Sequence, residues 1–188
     1  MDISKIEKHV KSKLENYPKR LIHTFGVCEM AVKLAEKFNI DTEKAYVAAL
    51  LHDVCKYDDL EVMKELINDN QIIEEYKNVT EAYHAFAAAN YAKNILNIED
   101  EDIINAIRYH VMGRIGMSKL EEIIYISDYT EKNRNIESCI ICRNELENNY
   151  NKAIYLSYDF VIKYLEKNNM TVFDCQYKLR EFYKGKEE

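Results

Sequence analysis

Six side chains that can bind a metal ion recur along the first two thirds of the sequence. Apolar residues at intervals of three and four mark the buried side of a helix. In several predicted helices, the position one turn beyond these apolar residues on the same side is a histidine or an aspartate. Imidazole nitrogen and carboxylate oxygen are common ligands of divalent metals. The six residues are His23, His52, Asp53, His84, His110 and Asp128.

Burial of all six favours a metal over ordinary core packing. One buried histidine is usually satisfied by its neighbours, but four imidazoles and two carboxylates would each cost roughly 2–7 kcal/mol if left without partners. A shared cation neutralises the carboxylates and satisfies the imidazoles together, as in helix bundles whose facing helices point ligands inward. The fifth histidine, His9, lies in a lysine-rich N-terminal helix and is interpreted as a surface residue.

The apolar spacing predicts five helices that carry these residues. The first spans about Leu21 to Phe38, and the second begins after Asp41 or Thr42, either of which is a good N-cap. Ser118 opens the fifth with Ser-Lys-Leu-Glu, a capping box. The third and fourth open at Thr80 and around Asp100.

The doublet His52-Asp53 follows an apolar helical stretch in "AALLHDVCKY", residues 48–57. Adjacent residues of a regular helix diverge by ~100°, so the two can share an ion only if it lies between their directions. The segment from Cys55 to Asp58 is typical of a helix end, which would give the doublet that freedom.

Composition limits the class of protein. With one proline and four glycines in 188 residues, we expect a mostly helical fold in a single domain, residues 1–188. The net charge of −7 argues against broad binding to nucleic acid or acidic membranes. No apolar run could cross a bilayer and the N-terminus does not resemble a signal peptide, so a cytoplasmic protein with reduced thiols is expected.

We interpret the C-terminal residues, 137–188, as helices that support the core structurally. One long helical segment is predicted from about Glu137 to Asn168, and a last helix near Phe173 to Tyr183; either could also pack in a homodimer. Cys139 and Cys142 form a Cys-x-x-Cys without the second pair that a structural zinc site needs. We interpret them as small buried apolar residues.

The ligand order resembles a known superfamily. His23, then His52-Asp53, then Asp128 is the order found in HD superfamily metal-dependent phosphohydrolases, and His84 and His110 resemble the extra ligands of members with two metal ions. "AIRYHVMGRIGMSKLEEIIYISDYTEKNR", residues 106–134, is similar to the second half of the YqeK-type family, the symmetrical diadenosine tetraphosphate hydrolases of bacteria. "RLIHTFGV", residues 20–27, is similar to its opening Arg-x-x-His helix. The resemblance covers about residues 17–136.

The resemblance implies an all-α HD-domain helical bundle, with a metal-binding core at about 17–136 and additional C-terminal helices at 137–188. It implies two divalent ions on the six residues above, with iron as the family's metal; ligand type alone also admits manganese or zinc. The substrate would be diadenosine tetraphosphate, cut by an activated water into two ADP, with Asp53 and Lys56 as catalytic residues. The candidate phosphate contacts are Arg20, Lys56, Gly113, Arg114 and Arg134.

Three alternatives remain open at this point. The chain could be another HD nucleotide phosphohydrolase, such as a deoxynucleotidase or a phosphodiesterase. It could be an HD-fold di-iron oxygenase, although the lysine and arginine cluster speaks against that class. It could also be a non-catalytic nucleotide sensor, although such a module need not keep all six ligands.

Overall fold

The computed structural model describes residues 2–186, and these form eleven α-helices with no strand. The all-α prediction is confirmed. A 3₁₀ turn at Thr80–Ala82 precedes the sixth helix. The helices are α1 (Ile3–Lys13), α2 (Pro18–Phe38), α3 (Thr42–Leu51), α4 (Leu60–Ile67), α5 (Asn70–Glu75), α6 (Tyr83–Asn94), α7 (Glu101–Arg108), α8 (Lys119–Thr130), α9 (Glu137–Asn148), α10 (Tyr150–Lys167) and α11 (Asp174–Lys184).

Helix α2 begins one turn earlier than predicted. Pro18 lies in its first turn, where the missing N–H of proline removes no hydrogen bond and the fixed φ suits the helix. The helix ends at Asn39, whose backbone is left-handed with φ of 54°. The apolar pattern that predicted the helix could not detect this first turn, because the turn carries proline and two cations.

Helix α3 ends one turn earlier than predicted. Asp41 caps its start by accepting hydrogen bonds from the backbone N–H of Glu43 at 2.8 Å and of Lys44 at 3.1 Å. The helix stops at Leu51, so the His52-Asp53 doublet lies in the following turn. The doublet lies outside the regular helix, although the backbone of His52 keeps right-handed helical angles, with φ of −52° and ψ of −38°.

The predicted starts of α7 and α8 are confirmed. Asp100 caps α7 through the N–H groups of Asp102 and Ile103. Ser118 caps α8 by accepting from the N–H of Glu121 at 3.2 Å. The reciprocal half of that capping box is not made, since the Glu121 carboxylate pairs with Arg114.

Helices α4 and α5 were not predicted. Both are short, and α5 buries none of its residues, so it offers no apolar stripe to detect. Helix α4 packs on α6, and the Asn90 side chain of α6 donates to the carbonyls of Leu66 and Ile67 at the end of α4.

The helices that carry the six candidate ligands pack around one another. Helix α2 lies along α3 and α8, α7 contacts α3, α6 and α8, and α6 lies between α4 and α7. Small residues make this close approach possible: Ala48 and Ala49 of α3 and Ala87 and Ala88 of α6 are fully buried. The ends of these helices, and the turns after α3 and α7, therefore meet at one place.

The C-terminal segment is two helices rather than one, because Asn149 interrupts it and caps α10 through the N–H of Lys152. Helix α10 packs on α8, α9 and α11, and its Tyr158 stacks on Tyr125 of α8 with 4.6 Å between ring centroids. Cys139 and Cys142 are buried in α9, as predicted. No helix within residues 2–186 combines the length and the apolar character that crossing a bilayer requires.

Candidate metal centre

Asp53 lies at the centre of the candidate site. One of its oxygens, Oδ2, is 3.1 Å from Nε2 of His52 and 3.8 Å from Nε2 of His23. The other, Oδ1, is 3.1 Å from Nε2 of His84 and 3.9 Å from Nε2 of His110. The carboxylate is 2% exposed and therefore joins four imidazoles in the interior.

The ligand atoms divide into two groups that share Asp53. Asp128 Oδ1 lies 3.0 Å from Nε2 of His23 and 4.0 Å from Nε2 of His52, and with Oδ2 of Asp53 these atoms form what we call the first subsite. His84 and His110, whose Nε2 atoms are 3.2 Å apart, form the second subsite with Oδ1 of Asp53. All six sequence-predicted residues are thus brought together.

Backbone carbonyls set the orientation of three of the imidazoles. In His52, His84 and His110, Nδ1 lies 2.5, 2.5 and 2.7 Å from the carbonyl oxygen of the residue three positions earlier. A carbonyl can only accept, so Nδ1 carries the proton and donates it. The lone pair of each imidazole is therefore on Nε2, which faces Asp53.

The residues fit a pair of divalent cations. Nε2 of His23 and of His52 is buried without a hydrogen-bond partner among the described residues. The facing Nε2 atoms of His84 and His110 both carry lone pairs, so they cannot bond to each other. Two carboxylates and four imidazole nitrogens converge there, and cations placed among them would satisfy all of these groups.

The pKa values of three of these residues are shifted towards the protonation states that metal ligands need. Burial acts to raise the pKa of Asp53, but the adjacent His52 and His84 hold that pKa well below its usual range. Burial likewise opposes ionisation of Asp128, and Arg134 and His23 hold its pKa well below the usual value. Burial, together with the neighbouring His52 and His84, lowers the pKa of His110 to about 3, so this imidazole is neutral near pH 7.

A cationic groove opens onto the first subsite. Arg20 Nη1 donates to Asp53 Oδ2 at 2.7 Å, and Arg134 Nη2 donates to Asp128 Oδ1 at 2.6 Å. The groove encloses about 370 Å³. Three cations line it in a chain whose net charge is −7, so it concentrates positive potential where an anion could enter. Its walls are Lys19, Arg20, Ile22, His23, Tyr57, Glu131, Asn133 and Arg134.

Lys56 lies beside the second subsite. Its Nζ is 3.3 Å from Nδ1 of His84, which already donates to the carbonyl of Glu81. Two donors cannot bond to each other, so the ammonium acts there as a nearby positive charge. The turn after α3 therefore brings Asp53 and Lys56 to the same centre.

Gly113 and Arg114, two of the predicted phosphate contacts, have structural partners instead. Gly113 has φ of 69°, and a Cβ there would meet the Tyr158 hydroxyl at 2.1 Å, so the glycine allows a left-handed turn under the ring. Arg114 forms a bidentate pair with Glu121 at 2.8 and 2.7 Å and stacks on Tyr109. Neither residue lines the groove, so the structure does not bring them to the site.

Glu131 was not identified from the sequence, and His9 is less exposed than predicted. Glu131 is 1% exposed, and its Oε1 lies 3.2 Å from Nδ1 of His23. Glu131 follows Asp128 by three residues, and residues three apart lie on the same side of a helix. This spacing is the feature of the sequence that could have identified Glu131. His9, which was interpreted as a surface residue, is partly buried, and its Nε2 contacts the Tyr91 hydroxyl.

A sequence profile of the HD domain family matches residues 20–133, which contain all six candidate ligands. The chain belongs to the HD family. The HD chain is 38% identical over 165 residues to the protein named symmetrical bis(5'-nucleosyl)-tetraphosphatase of Bacillus subtilis, covering 87% of this chain and 88% of that one. It is 32% identical over 191 residues to the protein of the same name from Staphylococcus aureus, covering 100% and 97% of the two chains.

A solved structure shares the whole fold of this HD chain. It is the crystal structure described as a predicted HD superfamily hydrolase involved in NAD metabolism, from Clostridium acetobutylicum. The two superpose with a TM-score of 0.88 at 32% identity, over 99% of this chain and 98% of the other. The similarity therefore extends past the HD profile into the C-terminal helices α9 to α11.

Proposed function

We propose that this HD chain is a metal-dependent hydrolase that cleaves diadenosine tetraphosphate symmetrically into two ADP. The observation that carries the proposal is the arrangement of two subsites joined by Asp53 beneath a cationic groove. The names of the bacterial relatives, similar over most of their length, support the substrate and the symmetry of cleavage.

The six candidate ligands would hold two divalent cations, with Asp53 shared between the subsites. Such a pair supplies Lewis-acid chemistry: it lowers the pKa of a water molecule and neutralises charge on the phosphates. We propose iron as the physiological metal, with manganese or zinc as substitutes that the nitrogen and oxygen ligands also accept.

The residues around the centre would position the polyphosphate. Arg20 and Arg134 each donate to an aspartate with part of their guanidinium, and the side chains remain 22% and 30% exposed toward the groove. Arginine binds phosphate oxygens through paired hydrogen bonds, and Lys56 adds a point charge on the opposite side of Asp53. Water attacks one of the two central phosphorus atoms, the bond to the bridging oxygen breaks, and that oxygen leaves with the second ADP.

Residues 137–188 would act as scaffold within one domain with the HD core. Tyr158 of α10 covers Gly113 and stacks on Tyr125, and Tyr183 of α11 donates to the buried Glu122 of α8 at 2.6 Å. These contacts attach the C-terminal helices to the elements that carry His110 and Asp128.

The test is product analysis with purified protein. The protein is supplied with iron(II) or manganese(II) and incubated with diadenosine tetraphosphate in ¹⁸O-enriched water, and nucleotides are separated by ion-exchange chromatography. We expect ADP as the only nucleotide product, with ¹⁸O in half of it. His52→Ala, which removes a ligand of the first subsite, should yield no ADP.

Other products would identify the alternative functions. Equal amounts of ATP and AMP would reject symmetrical cleavage. Phosphate release from deoxynucleoside monophosphates without diadenosine tetraphosphate turnover would indicate a different HD phosphohydrolase. Oxygen consumption would indicate an oxygenase, and tight nucleotide binding without hydrolysis in either metal would indicate a sensor.

A further inference from the structure

Glu131 is a buried carboxylate that faces His23 from the side opposite the metal centre. Its Oε1 lies 3.2 Å from Nδ1 of His23, and the residue is 1% exposed. The other three histidines of the centre have a backbone carbonyl at the equivalent nitrogen. His23 is the one whose second nitrogen depends on a side chain.

Asn133 determines which oxygen of Glu131 faces His23. The backbone N–H of Asn133 donates to Oε2 at 2.7 Å, and its side-chain amide donates to the same oxygen at 2.8 Å. These two bonds occupy Oε2 and leave Oε1 for the imidazole. Because a carboxylate can only accept, Nδ1 of His23 must carry the proton.

Gly26 provides the space that this carboxylate occupies. It lies inside α2, where a glycine is less favourable than an alanine. A Cβ at this position would lie 2.2 Å from Oε2 of Glu131 and 2.9 Å from the Asn133 amide nitrogen. The glycine is therefore explained by the approach of Glu131, and any side chain here would displace the carboxylate.

We propose that Glu131 is a positioning residue that fixes the tautomer and orientation of His23, and that Gly26 and Asn133 hold it in place. With the proton on Nδ1, the lone pair on Nε2 faces Asp53 and Asp128 and is available to a cation in the first subsite. The inference rests on the metal centre of the proposed function, but not on its substrate.

Glu131→Gln tests the proposal because it is nearly isosteric and should reverse the tautomer. Glutamine has one accepting oxygen and one donating NH₂ group. The backbone N–H of Asn133 requires the oxygen on its side, so the NH₂ group faces Nδ1 of His23. That nitrogen must then accept, and the proton moves to Nε2, where it blocks the lone pair.

The tautomer is read from long-range ¹H–¹⁵N correlation spectra of the metal-free protein, with His23 assigned by a His23→Gln spectrum. We expect Nδ1–H in the wild type and Nε2–H in Glu131→Gln. Zinc titration of the metal-free proteins by calorimetry should show first-subsite affinity reduced by roughly 10–100-fold. Neither measurement uses a nucleotide, so a failure of the proposed hydrolase activity would leave this test unaffected.

Glu122→Gln is the matched control. Glu122 is 4% exposed, accepts a hydrogen bond from Tyr183 and lies in the first turn of α8, whereas Glu131 lies at its end. We expect this variant to keep the His23 tautomer and the zinc affinity. Equal losses in both variants would show a general effect of removing a buried carboxylate and would overturn the proposal.

An unchanged tautomer with unchanged zinc affinity in Glu131→Gln would also overturn it. Should that variant fail to fold by circular dichroism, Gly26→Ala provides a second test, since its Cβ displaces the carboxylate without replacing Glu131. We expect weaker zinc binding in Gly26→Ala, and wild-type affinity there would contradict the proposal.

Discussion

Asp53 contacts His84 within the metal centre, with 3.1 Å between Oδ1 of Asp53 and the imidazole Nε2 of His84. The same carboxylate turns its other oxygen to His52, so one side chain serves both subsites. The two subsites are therefore coupled through Asp53, whereas their remaining ligands come from separate helices and turns.

Asp53→Asn should empty both subsites. Asparagine keeps the shape but removes the negative charge that two cations would share. We expect elemental analysis to find no bound metal and diadenosine tetraphosphate turnover to fall by roughly 10²–10³-fold or more. Retention of a full metal complement with loss of turnover would instead limit Asp53 to a role in catalysis.

His23→Ala and His110→Ala should affect different subsites. His23 belongs to the first subsite and His110 to the second, so each change removes a ligand from one position. We expect bound metal to fall from about two ions per chain to about one in both variants. Loss of both ions from His110→Ala would contradict the division into subsites.

Lys56→Ala should impair turnover and spare the metal. The ammonium lies beside His84 without contributing an electron pair to the centre. Since it supplies one positive charge to an anionic substrate, we expect kcat to fall by roughly 10–100-fold with metal content unchanged. Lys93→Ala, which removes an exposed lysine paired with Glu101, is the control for loss of a surface cation.

Arg134→Ala should raise KM for diadenosine tetraphosphate. A charged hydrogen bond is worth about 1.5–3 kcal/mol, so its loss predicts a rise in KM of roughly 10–150-fold. Arg180→Ala in α11 is the control, and it should leave KM unchanged. Metal content should be measured in parallel, because Arg134 also contacts Asp128.

The metal-free protein should lose stability as the pH falls from about 6.5 towards 3. The pKa of His110 is about 3 in the folded chain against 6.5 in its usual range, so the unfolded chain binds the extra proton in that window. One proton corresponds to about 1.4 kcal/mol per pH unit. His52, whose pKa burial lowers but Asp53 raises more, gains its stabilising contribution as the pH falls towards 6.5, and it adds no further change below that value.

The comparison that isolates this effect is urea unfolding of metal-free wild type and His110→Phe across that window. We expect a smaller decrease in the unfolding free energy with falling pH in the variant. The aspartates contribute no slope above pH 3.8, because their lowered pKa values confine their contribution to lower pH, so the slopes are compared between pH 6.5 and 3.8. Parallel slopes for the two proteins would contradict a neutral His110.

The amino-acid sequence was enough to predict the helical class, the caps at Asp41, Asp100 and Ser118, and the six candidate ligands. These features depend on residues that are close together in the chain. A cap depends on neighbouring backbone N–H groups, and a buried polar residue interrupts the apolar spacing of its helix. The resemblance to the HD family rests on the same short segments, which is why the profile match includes every candidate ligand.

The packing of the helices was needed to establish which ligands share a subsite and which charged residues reach it. The sequence predicts both Arg114 and Arg134 as phosphate contacts. In the structure Arg114 pairs with Glu121, whereas Arg134 lines the groove. Gly113 lies under Tyr158, and Glu131 reaches His23 through the space left by Gly26. These outcomes depend on contacts between residues far apart in the chain, and local periodicity carries no information about such distances.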